Sequence, residues 1–390
     1  MGKTSKLANQ IKYGLTGSKK KFGINYWRFF FNALNTTTAA EQMFYVEFEM
    51  LNPWISPEKA VLGYKSRVFV KAEDLQYALA GTQSATSLKT ETIVQPSYCV
   101  VRIGKFGKDG KQLCKYFPVK DAEFGNKNFE IKIDQFLFSE DALQGFISIS
   151  QEELTATPEL LCDSGIAKWD ISYVINKSIG NGFNSSGCRW FPAGLNTTFK
   201  GSLVFDGEEY KIEPVRSYGS MERYWGKSLM EPWFHISSSN LVSNITGKTL
   251  FGASFNVQGV SDGHVSFTGN IDDTEIVFST DSSNKYQDLW QCTQMPEVEE
   301  LEENRLHWSV SIHNKAWIID IDVYCKINEL CNRNIELPEG QRKVLNVLEG
   351  GSGFGEIKIY KRRKNDLEQI EFAKINNCIC EFGHIEDSEL

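Results

Sequence analysis

The sequence predicts an all-β protein made of antiparallel strands and divided into two domains. Apolar and polar residues alternate with a period of two in many segments, and turn residues separate those segments at short intervals. The chain has 390 residues, which is long for one domain and comfortable for two. Convincing helical patterns are few, so we expect only short helices.

The clearest predicted hairpin lies in the C-terminal half. The sequence L-H-W-S-V-S-I-H at 306–313 alternates without a fault, an Asn-Lys pair turns the chain, and the alternation resumes at 319–325. Such a pattern is typical of antiparallel strands with one buried and one solvated face. His307 and His313 fall on the polar face, which favours exposed histidines over metal ligands.

Similar hairpins are predicted around Asp-Gly pairs, because both positions tolerate the positive φ angles of a tight turn. One joins 203–205 to 210–212, and another joins 255–257 to 265–267 with 276–278 following. Further strands are predicted at 43–50, 66–71, 96–104, 128–133 and 356–361, and short helices at 5–15, 73–80 and 139–144. Short strands at roughly even spacing indicate antiparallel sandwiches or barrels.

A domain boundary is predicted after residue 216. A hairpin ends there, and the segment P-V-R-S-Y-G-S at 214–220 breaks the strand pattern. We therefore expect a basic N-terminal segment at 1–20, one β domain at 21–216 and a second at 217–390. Ligand pockets favour such junctions, so a pocket is expected near the boundary.

Composition narrows the classes of function. Aromatic residues make up 13% of the chain, enough for thick cores or for the wall of a wide apolar cavity. The net charge of −8 argues against a dedicated nucleic-acid binder, and no nucleic-acid partner is expected. Nine scattered cysteines without a C-x-x-C motif favour reduced thiols in a cytoplasmic protein.

The N-terminal segment is strongly basic. Residues 3–21 carry six lysines, with Leu7, Ile11 and Leu15 at helical spacing. Two interpretations are open: a short solvated helix, or a helix that makes peripheral contact with a membrane surface. The sequence has no apolar signal core and no run of about eighteen apolar residues, so a spanning segment is not expected.

Common enzyme motifs do not occur. The five histidines are scattered without an H-E-x-x-H pattern, and G-x-S-x-G is missing. The glycine-rich stretch at 350–355 lacks the Lys-Ser/Thr pair of a phosphate-binding loop. We therefore expect neither a metal nor a cofactor.

One segment, 221–240, concentrates charged and aromatic side chains. Its members are Glu222, Arg223, Tyr224, Trp225, Lys227, Trp233 and His235. Bulky rings exclude water and raise the pKa of a carboxylic acid, and their faces stabilise positive charge. Such an acid could protonate an alkene and shelter the carbocation that forms. The alternative is that both tryptophans plug a barrel end while the charges point outward.

The same segment resembles the tocopherol cyclase-like proteins. The resemblance rests on G-S-L-V-F-D-G-E-E-Y-K-I-E at 201–213, E-R-Y-W-G-K-S at 222–228 and E-P-W-F-H-I-S-S-S-N at 231–240. The aromatic strand at 25–30 and the stretch at 168–173 are similar to two further aromatic stretches of that family. Its broader relatives are hydroxyneurosporene synthase, which is the carotenoid 1,2-hydratase, and the lipocalin-like pericyclases.

The resemblance implies two lipocalin-like (calycin-type) antiparallel β-barrel or sandwich domains with an apolar pocket near their junction. It implies that Glu222 is the general acid, that Arg223 orients it, and that His235 is a reserve acid–base group. The substrate-binding residues would be Tyr26, Trp27, Trp169, Tyr173, Tyr224, Trp225, Lys227, Trp233, Ser237 and Asn240. The hydratase branch has an Asp-His pair where this chain has Glu222-Arg223. If those two side chains pair, the pKa of Glu222 is lowered rather than raised.

We therefore expect a cofactor-free enzyme of the cyclase, hydratase or isomerase type. It would protonate an alkene in an extended apolar substrate, such as an isoprenoid. Two alternatives are open: a carrier of the same fold that binds a lipid or pigment unchanged, and a structural protein with a filled pocket. The serines at 237–239 favour a ligand different from tocopherol precursors.

Overall fold

The computed structural model describes residues 22–63, 67–69, 90–92, 94–125, 128–260, 264–271, 273–280, 285–295, 304–340, 344–364 and 366–386. The basic segment at 1–20, the possible membrane contact at 3–21 and the predicted helices at 5–15 and 73–80 lie outside these ranges. Within the ranges nearly all of the regular secondary structure is β-strand.

The N-terminal part of the chain forms one large antiparallel sheet. Its strands are β1 (Ile24–Asn35), β2 (Glu41–Leu51), β5 (Tyr98–Lys105), β6 (Lys111–Phe117), β7 (Glu123–Phe124), β8 (Glu130–Ile133), β9 (Phe136–Ser139), β10 (Ala142–Ile149), β11 (Gly165–Lys177), β12 (Phe183–Asn184), β13 (Cys188–Gly194), β14 (Asn196–Phe205), β15 (Glu208–Ile212) and β16 (Gly219–Gly226). The hydrogen-bonded order is β12-β13-β16-β1-β15-β14-β11-β10-β9-β8-β7, with β2 on β1, β5 on β2 and β6 on β5. Two short strands between β2 and β5, β3 (Arg67–Phe69) and β4 (Thr90–Thr92), pair with each other.

The C-terminal part forms a second antiparallel sheet. Its strands are β17 (Trp233–Ser238), β18 (Asn240–Ser243), β19 (Ser254–Gly259), β20 (Val265–Ile271), β21 (Thr274–Phe278), β22 (Gln287–Met295), β23 (Arg305–His313), β24 (Trp317–Lys326), β25 (Cys331–Glu336), β26 (Val344–Arg362) and β27 (Leu367–Glu386). The order is β21-β20-β19-β17-β27-β26-β24-β23-β22, with β18 on β27 and β25 on β26. Two large antiparallel sheets with very few helices confirm the all-β prediction and the two units expected from the sequence.

The predicted hairpins form as their sequence patterns indicate. Strands β23 and β24 pair in the register His307 to Tyr324, and β14 and β15 pair around the Asp-Gly turn. His307 is only partly exposed, because its Nε2 lies 2.7 Å from Asp322 Oδ1 on the neighbouring strand.

The predicted helix at 139–144 is wrong. Residues 142–149 form strand β10, in which Leu143 and Ile147 are buried while their neighbours face outward. The period-two alternation after residue 142 decides the conformation. Among the described residues an α-helix does form next to β10, α1 (Gln151–Ala156), which begins where Ser150 Oγ accepts the backbone N–H of Glu153 over 3.1 Å.

Short 3-10 turns complete the helical structure of the described residues. They lie at Val119–Asp121, Pro158–Leu160, Pro214–Arg216 and Ile327–Glu329. Among the described residues, no helix has the length and apolar character that crossing a membrane requires. The nine cysteines are free thiols.

The division between the two sheets does not coincide with the predicted boundary after residue 216. Strand β16 belongs to the first sheet, where Gly226 pairs with Ile24 and Gly219 with Phe31. The second sheet begins at Trp233. The segment 221–240 therefore begins in one sheet and ends in the other.

Apolar side chains form three main buried groups. The first core fills the first sheet and contains Trp27, Phe29 and Met221, and the second core fills the second sheet around Phe234 and Ile236. Between the sheets lies a junction cluster, which combines residues of both: Tyr26, Trp190, Tyr224, Trp233, Leu345 and Val347 are among its members. Strand β1 is buried on both faces, one towards the first core and one towards the junction.

Candidate active site

Strand β16 sends consecutive side chains to opposite faces, as any β-strand does. Glu222 and Tyr224 face the junction, whereas Met221 and Arg223 face the first core. Glu222 and Arg223 are therefore directed apart. The guanidinium of Arg223 lies 3.5 Å from the ring centroid of Trp27 and donates to the backbone carbonyl of Tyr224 over 3.0 Å.

The imidazole that contacts Glu222 comes from the second sheet. His235 lies on β17, and its Nε2 is 2.7 Å from Glu222 Oε1. Its Nδ1 is 3.1 Å from Glu381 Oε2, because His235 and Glu381 are register partners on β17 and β27. All three side chains are 0% exposed. We call the series Glu381–His235–Glu222 the proton relay.

The two carboxylates hold His235 in its charged form. Burial alone would lower the pKa of His235, but Glu222 and then Glu381 outweigh that effect and raise the pKa to about 9. Burial would likewise raise the pKa of Glu381, yet Arg28, His235 and Arg333 hold it well below its usual range. At neutral pH the relay therefore contains an imidazolium between two carboxylate positions.

Indole and amide donors surround the carboxylates of the relay. Trp190 Nε1 donates to Glu222 Oε2 over 3.2 Å, and Asn256 Nδ2 donates to Glu222 Oε1 over 2.9 Å. Trp233 Nε1 donates to Glu381 Oε2 over 2.7 Å. The ring centroids of Trp190 and Trp233 are 4.6 Å apart, and that of Trp190 is 5.3 Å from that of His235. Aromatic surface thus encloses the relay beside the junction cluster.

A buried charged layer continues from the relay between the sheets. Its members are Arg28, Glu47, Glu49, Arg102, Arg333, Glu349 and Glu381. Arg28 of β1 donates to Glu381 and, over 2.8 Å, to Glu349. Arg333 of β25 lies 2.8 Å from Glu349 and 3.4 Å from Glu47 of β2. Buried ions of this kind need opposite charges and hydrogen bonds on every side, and here each sheet supplies partners for the other.

The structure brings six of the predicted site residues to the junction side. Tyr26, Glu222, Tyr224, Trp233 and His235 lie there together, with the Tyr26 ring centroid 5.2 Å from that of Tyr224 and 6.3 Å from that of Trp233. Ser237 follows His235 on the same face of β17 and is 3% exposed.

The remaining predicted residues lie elsewhere. Trp27 and Arg223 pack in the first core, and Trp225 packs against it with its ring centroid 5.5 Å from that of Phe191. Trp169 and Tyr173 on β11 also belong to the first core. Lys227 is exposed after the end of β16, and Asn240 donates to Asn377 Oδ1 over 2.6 Å. Strand alternation separates Trp27, Arg223 and Trp225 from the relay, because they occupy the opposite faces of β1 and β16.

Sequence reasoning did not single out Glu381, Trp190, Asn256 or Arg28. A signal for two of them exists: Arg28 interrupts the run I-N-Y-W-R-F-F-F, and Glu381 interrupts I-C-E-F. A charge inside a strand that is otherwise apolar on both faces indicates a buried polar partner. Nothing in the sequence shows that these distant positions meet one another.

Comparisons with known proteins give no family. No protein-family model matches the chain, and no curated protein matches its sequence. The resemblance to the tocopherol cyclase-like proteins therefore stays a prediction.

Two solved structures are similar to the chain over nearly its whole length. One is a candidate AttH from Nitrosomonas europaea, with a TM-score of 0.42, 8% identity and coverage of 94% of this chain and 96% of that chain. The other is kievitone hydratase from Nectria haematococca, with a TM-score of 0.40, 12% identity and coverage of 96% and 95%. At these values the likeness is no guide to shared chemistry.

Proposed function

We propose that this protein is a cofactor-free enzyme of the hydratase, isomerase or cyclase type that protonates an alkene in a largely apolar substrate, such as an isoprenoid. The observation that supports the proposal is the proton relay itself. A fully buried imidazole lies 2.7 Å from one glutamate and 3.1 Å from another, and the two glutamates come from different sheets.

The relay assigns a separate role to each residue. Glu381 accepts the Nδ1–H of His235 and fixes the orientation of the ring, as the acidic member of a catalytic triad does. His235 passes its Nε2 proton to Glu222 Oε1, and Glu222 delivers a proton to one alkene carbon. The other alkene carbon becomes a carbocation. Addition of water, ring closure or loss of a proton from a neighbouring carbon then quenches the cation, and the released proton returns to His235.

The aromatic surroundings suit a cationic intermediate. The rings of Tyr26, Trp190 and Trp233 lie beside the relay, and aromatic faces attract positive charge through their quadrupole. The same rings exclude water from a cation that must not be captured too early. This arrangement suits a substrate whose reacting carbon is uncharged before protonation and becomes positively charged afterwards.

The substitution Glu222→Gln tests the proposal. It keeps the shape of the side chain but removes the proton-carrying oxygen, so turnover should fall by at least about a hundredfold. Compounds extracted from the natively purified protein would be incubated with it in D2O, and mass spectrometry would follow deuterium incorporation or the gain of water. The exposed Glu209→Gln variant is the matched control. Turnover that survives Glu222→Gln contradicts the mechanism.

A second candidate is a carrier of the same fold that binds a lipid or pigment unchanged. The complete burial of all three relay side chains favours it, because such a cluster can join two sheets without any chemistry. A bound compound that stays unchanged in the parent protein as well as in Glu222→Gln would support the carrier. The free thiols support a cytoplasmic location for either function.

A further inference from the structure

We propose that Ser237 and Ser254 form a subsite that hydrogen-bonds an oxygen atom of the substrate, a hydroxyl or a carbonyl, beside the proton relay. The substrate is then an oxygenated apolar molecule rather than a hydrocarbon. This inference deepens the proposed function and rests on it, because it assigns a substrate class to the same site.

Both serines share a face with the relay. Ser237 is two residues beyond His235 on β17, so the two side chains point the same way. The register partner of Ser237 on β19 is Asn256, whose amide donates to Glu222. Ser254 is two residues before Asn256 on β19. Diagonal neighbours of this kind are about 7–8 Å apart in an antiparallel pair, so one ligand oxygen between them could contact both hydroxyls.

Neither hydroxyl has a hydrogen-bond partner within the described part of the chain. Ser237 is 3% exposed and Ser254 is 0% exposed, yet both Oγ atoms are unsatisfied there. A buried hydroxyl without a partner is destabilising, and native proteins retain few such groups. Two at adjacent positions beside an acid–base relay point to a ligand that supplies the missing bonds.

Two other buried serines of the second sheet are satisfied. Ser238 Oγ donates to the Asn376 carbonyl over 2.8 Å, and Ser243 Oγ donates to Glu371 Oε1 over 2.8 Å. Ser266, also buried in this sheet, donates to the Gln258 carbonyl over 3.4 Å, so the lack of a partner distinguishes Ser237 and Ser254 from these buried serines.

Apolar side chains border the subsite on the other side. Ile379 on β27 is the register partner of Ser237, and it packs in a small buried cluster with Phe30 and Phe106. The Phe30 ring centroid is 5.9 Å from that of His235. A polar pair against an aromatic and aliphatic surface is typical of sites that fix one oxygen of an otherwise apolar ligand.

The Tyr26 hydroxyl, beside Trp233, is a third buried hydroxyl near the relay. It is buried without a hydrogen-bond partner in the described ranges, and the Tyr26 ring packs against Trp233. Burial, together with the charges of Glu222 and Glu381, raises the pKa of Tyr26, so this phenol stays protonated and able to donate. A second substrate oxygen at that end of the site would satisfy it.

The test compares Ser237→Ala and Ser254→Ala with Ser238→Ala as the matched control, using farnesol and the corresponding hydrocarbon farnesene as probes. Binding would be measured by quenching of tryptophan fluorescence. The parent should bind farnesol more tightly than farnesene, and each alanine at the subsite should reduce that preference by about fivefold. The Ser238→Ala variant should keep the preference.

Thermal unfolding without ligand gives a second measurement. Because each substitution removes an unsatisfied buried hydroxyl, Ser237→Ala and Ser254→Ala should raise the melting temperature by about 2 °C. The inference is overturned if neither probe binds, if the parent shows no preference for farnesol, or if both alanine variants keep it. If Ser237→Ala and Ser254→Ala lose the preference for farnesol but Glu222→Gln retains turnover, the subsite is supported and the proposed function is rejected.

Discussion

Glu222 and Arg223 are neighbours in the chain but belong to different parts of the molecule. The pleat of β16 directs Glu222 to the junction, where it meets His235, and directs Arg223 to Trp27 in the first core. The resemblance suggested that arginine replaces a histidine of the hydratase branch. In the structure the imidazole that contacts Glu222 is that of His235 on the next strand, and Arg223 takes no part in that contact.

The Arg223→Met substitution tests this separation. It removes the cation–π contact with Trp27 and the hydrogen bonds to the backbone, so the free energy of unfolding should fall by about 2–4 kcal/mol. The pKa of His235 should stay near its parent value. Urea denaturation and an NMR titration of His235 would measure both quantities, with the exposed Arg216→Met as control. A large shift in the pKa of His235 would show that Arg223 acts on the relay.

At the scale of the element, strand alternation predicts the two faces of a strand but not what covers each face. The strand predicted at 43–50 forms as β2, and its polar positions Glu47 and Glu49 share one face. Alternation of this kind normally indicates that the polar face is solvated. The face of β2 that carries Glu47 and Glu49 is instead buried, and Arg333 of the second sheet contacts Glu47. The same holds for Asn256 and Gln258 on β19, which are buried although their pattern is that of a half-exposed strand.

The end of β25 carries a buried carboxyl group. Glu336 is buried there and accepts the backbone N–H of Gly63 over 2.7 Å. The pKa of Glu336 is raised to about 8, and burial is the main cause. The charge of Glu49 adds to the rise, whereas the hydrogen bonds from Gly63 and Tyr98 and the charge of Arg102 oppose it. A carboxyl whose pKa is raised on folding stabilises the fold below its unfolded value, and that contribution is lost as the pH rises through the folded value.

The parent should therefore lose stability between about pH 4.5 and pH 8, on the order of 3–5 kcal/mol from this group. Glu336→Gln cannot ionise, so its free energy of unfolding relative to the parent should increase across that window. Urea denaturation at several pH values would measure the difference. The exposed Glu339→Gln should follow the parent, and a constant difference between Glu336→Gln and the parent would contradict the prediction.

At the scale of the whole molecule, the charged layer and the junction cluster join the two sheets. The all-β class, the two units and most strands could be predicted, because they depend on local alternation and turn residues. The relay could be predicted only in part. Glu222 and His235 stand in one sequence segment, but Arg28, Asn256 and Glu381 reach them through long-range strand pairing that no local pattern encodes.

Because His235 links the sheets, its titration should affect the stability of the whole fold. Its pKa is raised on folding, so its contribution is complete below about pH 6.5 and is lost as the pH rises towards 9. That contribution is roughly 3 kcal/mol. The stability difference between the parent and His235→Asn should shrink by this amount across the window. His313→Asn, on the partly exposed end of β23, is the control, and a difference that is independent of pH would contradict the prediction.

We propose that His235 holds a proton between Glu222 and Glu381. An NMR titration of the protein labelled with 15N histidine measures this directly. We predict that His235 is an imidazolium at neutral pH and titrates near pH 9, and that Glu222→Gln lowers its pKa towards the usual value. A His235 that is neutral at pH 7 in the parent protein would contradict the account.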